Sequence, residues 1–187
     1  MAYRNYNVQC NGVTIVTTVT NSSSLIDSVL NEFRSKRIIA LRIKCNPNSA
    51  NKKVATLQLC HGNRCIIIQL LHLDSIPNSL INLLLDRSIK FVGMIITQDI
   101  AKLDRDYGLK CWSGHELGSL MSIHAMITQQ FPGRAAGREM TAPSVEELIS
   151  MFTHHSDWST DILTSEQIKA ATIDAYTSFS FGNMLLP

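Results

Sequence analysis

The sequence is short of most features that announce a function. None of its apolar runs approaches the ~20 residues needed to span a bilayer. It holds no C-x-x-C pair, and its six histidines are scattered apart from His154–His155, none with a metal-ligand partner at helical spacing. It has no G-x-G-x-x-G, no Walker-type loop and no G-x-S-x-G. These absences leave no signature for a membrane span, a zinc site, a nucleotide-cradling loop or a serine nucleophile. Cys111-Trp112 near His115 reads as a strand end and helix start, not as a nucleophile with its base. Charged residues make up only 17% of the chain, and a net charge of +2 neither demands nor excludes a polyanionic partner. Met1 to Asn11 is polar and lacks the apolar stretch of a secretory signal, so an intracellular protein, nuclear or cytoplasmic, is expected.

Hydrophobic residues, by contrast, reach 45% over 187 positions, enough for one compact domain across 1–187. Five cysteines are an odd count. Cys60 and Cys65 flank the turn His61-Gly62-Asn63-Arg64 and are expected as buried free thiols in a reducing compartment.

The periodicities come in two blocks. Tyr6 to Cys10 and Val13 to Thr20 around Asn11-Gly12 predict a β-hairpin. Ser22-Ser23-Ser24 can cap a helix with Leu25, Ile26, Val29, Leu30 and Phe33 on its apolar side. Arg37 to Cys45, Lys53 to Cys60 and Cys65 to Leu70 predict an antiparallel meander. Helix and strand then alternate: a helix over Ser79 to Asp86, a buried central strand over Lys90 to Ile96, and a helix capped by Thr97 that closes at Gly108. Further helices are predicted over Glu116 to Gln130, from Ser144 with Glu147, and from Thr164 with Gln167 to about Gly182, with a loop over Phe131 to Pro143. The sum is an α/β domain with a mixed sheet, an antiparallel meander plus parallel strands, flanked by helices.

Five segments in order resemble the Werner-syndrome-type (plant) 3′–5′ exonucleases of the DEDD, RNase H-like superfamily. Phe91 to Leu103 resembles the second motif, F-V-G-x-x-I-x-x-D-x-x-K-L. Ser165 to Tyr176 resembles the third, and Ser156-Asp157-Trp158 is similar to the S-D-W that often precedes it. Val13 to Asp27 and Lys53 to Cys60 resemble framework segments of the plant members.

Active members of the family hold two divalent metals, Mg or Mn, on four carboxylates. The resemblance places Arg42 and Lys44 where the first motif has its Asp and Glu, and Ala170 where the third has a tyrosine that positions water. Asp99 and Asp174 remain as the only metal-ligand candidates. The resemblance therefore implies that no metal or other cofactor is bound, and that Arg42 and Lys44 form ion pairs with Asp99 and Asp174. A register slip of one residue would instead turn Leu41 and Ile43 inward and Arg42 and Lys44 outward.

A non-catalytic nucleic-acid-binding or protein-interaction module is the expected function. Its partners would be a nucleic acid or another protein, homo-oligomers included, with no membrane. Arg42, Lys44, Lys102, Arg134 and Arg138 are the candidate nucleic-acid contacts, although basic spots such as Lys52–Lys53, Arg64 and Lys102 with Arg105 also fit ordinary solvated surface. The alternative is an active metal-dependent 3′–5′ exonuclease on DNA or RNA using substitute acids, for which Glu116, Asp104 and Asp106 are the candidates.

Overall fold

A computed structural model describes residues 3–46, 50, 52–119 and 156–186. The predicted loop over Phe131 to Pro143, the Ser144 helix, Pro47, Arg134 and Arg138 lie outside the described residues. So does most of the predicted Glu116 to Gln130 helix.

Among the described residues, seven strands form one mixed sheet in the order β1-β2-β5-β4-β3-β6-β7. The hairpin pairs β1 (Tyr3–Cys10) with β2 (Val13–Thr20). Asn11 and Gly12 take φ of +48° and +76° in its two-residue turn, the positive values that a type I′ connection needs at both central positions. The meander is β3 (Ile38–Cys45), β4 (Val54–His61) and β5 (Arg64–Gln69), each antiparallel to the next. β5 runs parallel to β2. On the other side β6 (Lys90–Gly93) runs parallel to β3, and β7 (Gly114–Glu116) parallel to β6.

Among the described residues, helices α1 (Ser23–Leu30), α2 (Asn78–Leu85), α3 (Ile96–Tyr107) and α4 (Ser165–Leu185) accompany the sheet, with a 3₁₀ turn at Leu70–His72. The two faces of the sheet carry separate cores. Ile39, Leu41 and Ile43 pack with Leu57, Leu59 and Phe91 beneath α1, α2 and α3. Ala40 and Val92 lie on the other face with Ile168, Ala171 and Ala175 of α4. β3 and β4 are therefore covered on both sides, which explains their nearly unbroken burial. A bulge opposite Lys44/Cys45 shifts the β4 register, so Ala55 faces the α4 side while Leu57 and Leu59 face the other.

Several local expectations need correction. The strand predicted over Lys90 to Ile96 stops at Gly93 and lies next to the edge strand, not at the centre of the sheet. Gly93 explains its close seating: a Cβ there would lie 2.8 Å from the Leu41 carbonyl oxygen. α1 ends at Leu30, although Phe33 is still buried in the turn that follows. Cys111-Trp112 precedes the short strand β7, and residues 117–119 begin the next helical turn.

Two helix N-termini are capped from a distance. Ser22 makes no side-chain cap bond; the Asp74 carboxylate accepts from the Ser23 backbone N–H at 3.0 Å and from the Ser23 hydroxyl. Thr97 is not the cap of α3 but sits inside its first turn, donating its N–H and hydroxyl to Glu116 of β7. By contrast, Thr164 and Gln167 form the expected reciprocal capping box, and Gly108 closes α3 in the left-handed region.

α4 crosses the sheet at very short range where Gly182 meets Val92. A Cβ on Gly182 would lie 2.6 Å from one Val92 methyl carbon and 2.9 Å from the other, so rotation of the valine cannot make room. Gly182→Ala is expected to lower stability by about 1–3 kcal/mol despite the better helix propensity of alanine. Urea denaturation measures this, and an unchanged midpoint would contradict the contact.

Candidate functional site: a buried four-residue ion cluster

β3 brings Arg42 and Lys44 to the same face because side chains alternate along a strand. Ala40 precedes them on that face, under α4. The acids arrive on helices: Asp99 in the first turn of α3, where the helix dipole favours an anion, and Asp174 in the body of α4.

Arg42 Nη1 donates to Asp99 Oδ2 at 2.7 Å and Arg42 Nε to Asp174 Oδ1 at 3.1 Å. Lys44 Nζ donates to Asp174 Oδ2 at 2.7 Å. The side chains of Arg42, Lys44, Asp99 and Asp174 are 7%, 2%, 5% and 1% exposed. Two cations and two anions thus cancel within a nearly dry pocket. Arg42 and Lys44 point toward Asp99 and Asp174, while Leu41 and Ile43 fill the opposite core. Both parities of β3 are buried.

The environment tunes the carboxyls in opposite directions. Burial opposes ionisation of Asp174, but Lys44 and Arg42 outweigh it by charge and hydrogen bond and hold its pKa below the ordinary carboxylate value. Burial pushes Asp99 up to about 6, with the single Arg42 contact offsetting only part and Asp174 adding to the rise. Arg42 is desolvated too, yet Asp174 and Asp99 hold its pKa above the usual value.

The sign of the stability effect follows. A raised folded-state pKa for an acid means that the folded protein binds the proton more tightly. Asp99 therefore favours folding most below its ordinary 3.8 and loses about 3 kcal/mol as pH climbs through about 6. Asp174 has the reverse sign, its contribution being lost as pH falls through its lowered folded value. The ¹³Cγ signal of Asp99 is expected to titrate with a midpoint near 6, while that of Asp174 titrates below the ordinary carboxylate range. An Asp99 midpoint below 4 would contradict this electrostatic picture.

Beside the cluster lies a cleft of about 280 Å³, lined by Lys52, Gln98, Lys102 and Trp158 along with Arg42 and Lys44. Lys44 Nζ lies 5.8 Å from the Trp158 ring centroid, within cation–π range. The sequence marks Trp158 only as part of an S-D-W segment and gives no sign of this contact. Lys102 is engaged by Asp106 at 2.9 Å, and Asp106 also accepts from the Val54 backbone N–H. Ala170 is half-buried on α4, one turn before Asp174, with only a methyl group to offer. Of the substitute acids, Glu116 holds the start of α3, Asp106 is occupied as described, and Asp104 is exposed. Among the described residues no group of three or more His, Cys, Asp or Glu is placed to hold a metal ion, and no helix is long and apolar enough to cross a membrane. Cys60 and Cys65 are cross-strand partners, both buried and free.

The profile of the 3′–5′ exonuclease family matches residues 16–186. An Arabidopsis thaliana 3′–5′ exonuclease is 31% identical over 134 residues, covering 71% of this chain. The chain spans about half the length of the curated relatives it matches, 46% in that case. Among solved structures, the Aedes aegypti Nibbler EXO domain superposes with a TM-score of 0.69 at 13% identity, covering 97% of this chain and 90% of that one. The EXD2 exonuclease domain soaked in Mn and Mg gives a TM-score of 0.56 at 21% identity, covering 88% and 86%. With the motif order, the mixed sheet and the profile in agreement, the chain belongs to the 3′–5′ exonuclease family and has its RNase H-like fold.

Proposed function

We propose that this chain is a catalytically silent exonuclease domain in which Arg42 and Lys44 have taken the place of a metal pair, and that it works by binding nucleic acid. The observation that carries the reading is the closed ion cluster of Arg42, Lys44, Asp99 and Asp174. Hard divalent cations require anionic or carbonyl oxygen ligands. Arginine and lysine side chains have no lone pair to give when charged, and both carboxylates already accept from them. Such a donor set does not suit two divalent ions, and the metal-activated water of a two-metal hydrolysis has nothing to hold it.

The cleft beside the cluster supports a binding role. Its basic lining, Lys52 and Lys102, suits phosphates as sequence-independent contacts that weaken with salt. The engagement of Glu116 and Asp106 elsewhere weighs against an exonuclease that recruits substitute acids.

A nuclease assay tests the proposal. Labelled single-stranded and recessed DNA and RNA, incubated with Mg²⁺ or Mn²⁺, are expected to stay intact at enzyme excess. Metal-dependent trimming from the 3′ end that Asp99→Asn abolishes would overturn the silent-domain reading.

A further inference from the structure

At the opposite end of the sheet a recess of about 520 Å³ is lined by Arg37, His61, Ser88, Lys90, Asn183 and Leu186. Arg37 immediately precedes β3 and Lys90 opens β6. The parallel pairing of Ile38 with Lys90 sets the two strand starts side by side. Arg87, just upstream, places its guanidinium carbon 5.6 Å from the Trp112 ring centroid. The Ser113 carbonyl, next to Trp112 in the chain, accepts from the Phe91 backbone N–H at 2.8 Å, which holds the main chain at Trp112 beside the start of β6. Trp112 remains 60% exposed although a cation lies over its ring.

The two arginines are exposed cations. Among the described residues neither Arg37 nor Arg87 is ion-paired. Of the acids nearest in sequence, Glu32 is paired with Arg64, and Asp86 accepts from the Ser88 N–H and hydroxyl. Lys44 lies six residue steps along β3 from Ile38, roughly 20 Å at the strand rise. This surface is therefore distinct from the ion cluster and its cleft.

We propose that this end of the sheet is a second contact surface for single-stranded nucleic acid, with phosphates on Arg37, Arg87 and Lys90 and a base stacked on Trp112. Cations track a backbone without reading sequence, and an exposed aromatic ring supplies stacking that every base can use. An acidic peptide would use the charges but gain little from a planar ring. The inference goes beyond the silent-domain reading and does not rest on it.

Fluorescence anisotropy with a labelled oligouridine, in EDTA, tests it. Trp112→Ala is expected to weaken binding roughly tenfold. Arg37→Gln with Arg87→Gln should lower the log–log salt slope by about 1.4, the share of two phosphate contacts on a single strand. All three side chains are exposed, and unchanged thermal melts verify the fold of each variant. Weakened binding in these variants supports the surface, whether or not the cleft also contributes. Binding lost in Lys52→Gln/Lys102→Gln but unchanged in the patch variants places the contact in the cleft, which overturns this inference and leaves the silent-domain reading standing. No binding by the wild-type chain, or equal binding of poly-glutamate, overturns it as well.

Discussion

Asp174→Ala is expected to destabilise the domain by about 3–5 kcal/mol, a large share of the stability of a typical domain. Asp174 is the anion shared by both cations, accepting from Arg42 Nε and from Lys44 Nζ. Its removal strands Lys44, whose side chain is 2% exposed and has no other carboxylate among the described ion pairs. An ammonium left without a counter-charge in such surroundings costs far more than the pair contributes when intact. The comparison with Lys44→Met sharpens the argument. That variant removes the buried cation itself, and Asp174 still receives Arg42 Nε. Its loss should be clearly smaller, and the Asp174→Ala/Lys44→Met double variant should recover part of the deficit. Urea denaturation of the four proteins in the cycle measures the coupling. Additive losses would show that the 2.7 Å contact contributes no coupling energy.

The second large effect comes from reversing the two cations. Arg42→Asp with Lys44→Glu should convert an internally neutral cluster into four carboxylates gathered from β3, α3 and α4. Without metal, mutual repulsion in a buried site makes this variant much less stable than the wild type. With Mn²⁺ or Mg²⁺ the same four groups suit hard cations, and binding to the folded state alone stabilises it by mass action. A hundredfold excess of metal over its dissociation constant corresponds to about 2.7 kcal/mol. The expected result is a melting temperature that rises with Mn²⁺ in the double variant and falls again with EDTA, while the wild type responds to neither. A variant whose stability is blind to Mn²⁺ would show that more than these two positions separates this chain from a metal-binding relative.

Much of the fold is legible in the sequence because its signals are local. Asn11-Gly12 dictates a hairpin through its backbone freedom, Gly108 ends α3 through its left-handed φ, and Thr164 with Gln167 encodes a cap within four residues. The basic pair Arg42 and Lys44 stands out only against the acidic motif that the flanking segments resemble. Hydrophobic pattern alone does not settle which way β3 faces. Leu41 and Ile43 are buried under α1, α2 and α3, and Arg42 and Lys44 are buried on the opposite side, so both parities satisfy a core-facing rule.

The features that escape a sequence reading are non-local. The caps supplied by Asp74 and Glu116 come from residues 51 and 19 positions away from the helix starts they serve. β6 carries the apolar run of an interior strand but sits one strand from the edge, with burial supplied by the core around Phe91 on one face and α4 on the other. Arg37, Arg87 and Trp112 are far apart in sequence and form no motif; only the parallel pairing of β3, β6 and β7 brings them to one end of the sheet. Trp158 is visible as part of a framework match, but its contact with Lys44 depends on how the segment before α4 is folded.

The most direct test of the ion cluster as a replacement for metal is a Mn²⁺ titration of the wild-type chain followed by electron paramagnetic resonance. Only the signal of free, hydrated Mn²⁺ should be seen at all protein concentrations, with the same trace for Asp99→Asn. A saturable bound fraction that disappears in Asp99→Asn would mean that Arg42 and Lys44 yield their carboxylates to a cation, and the account would fail at its centre.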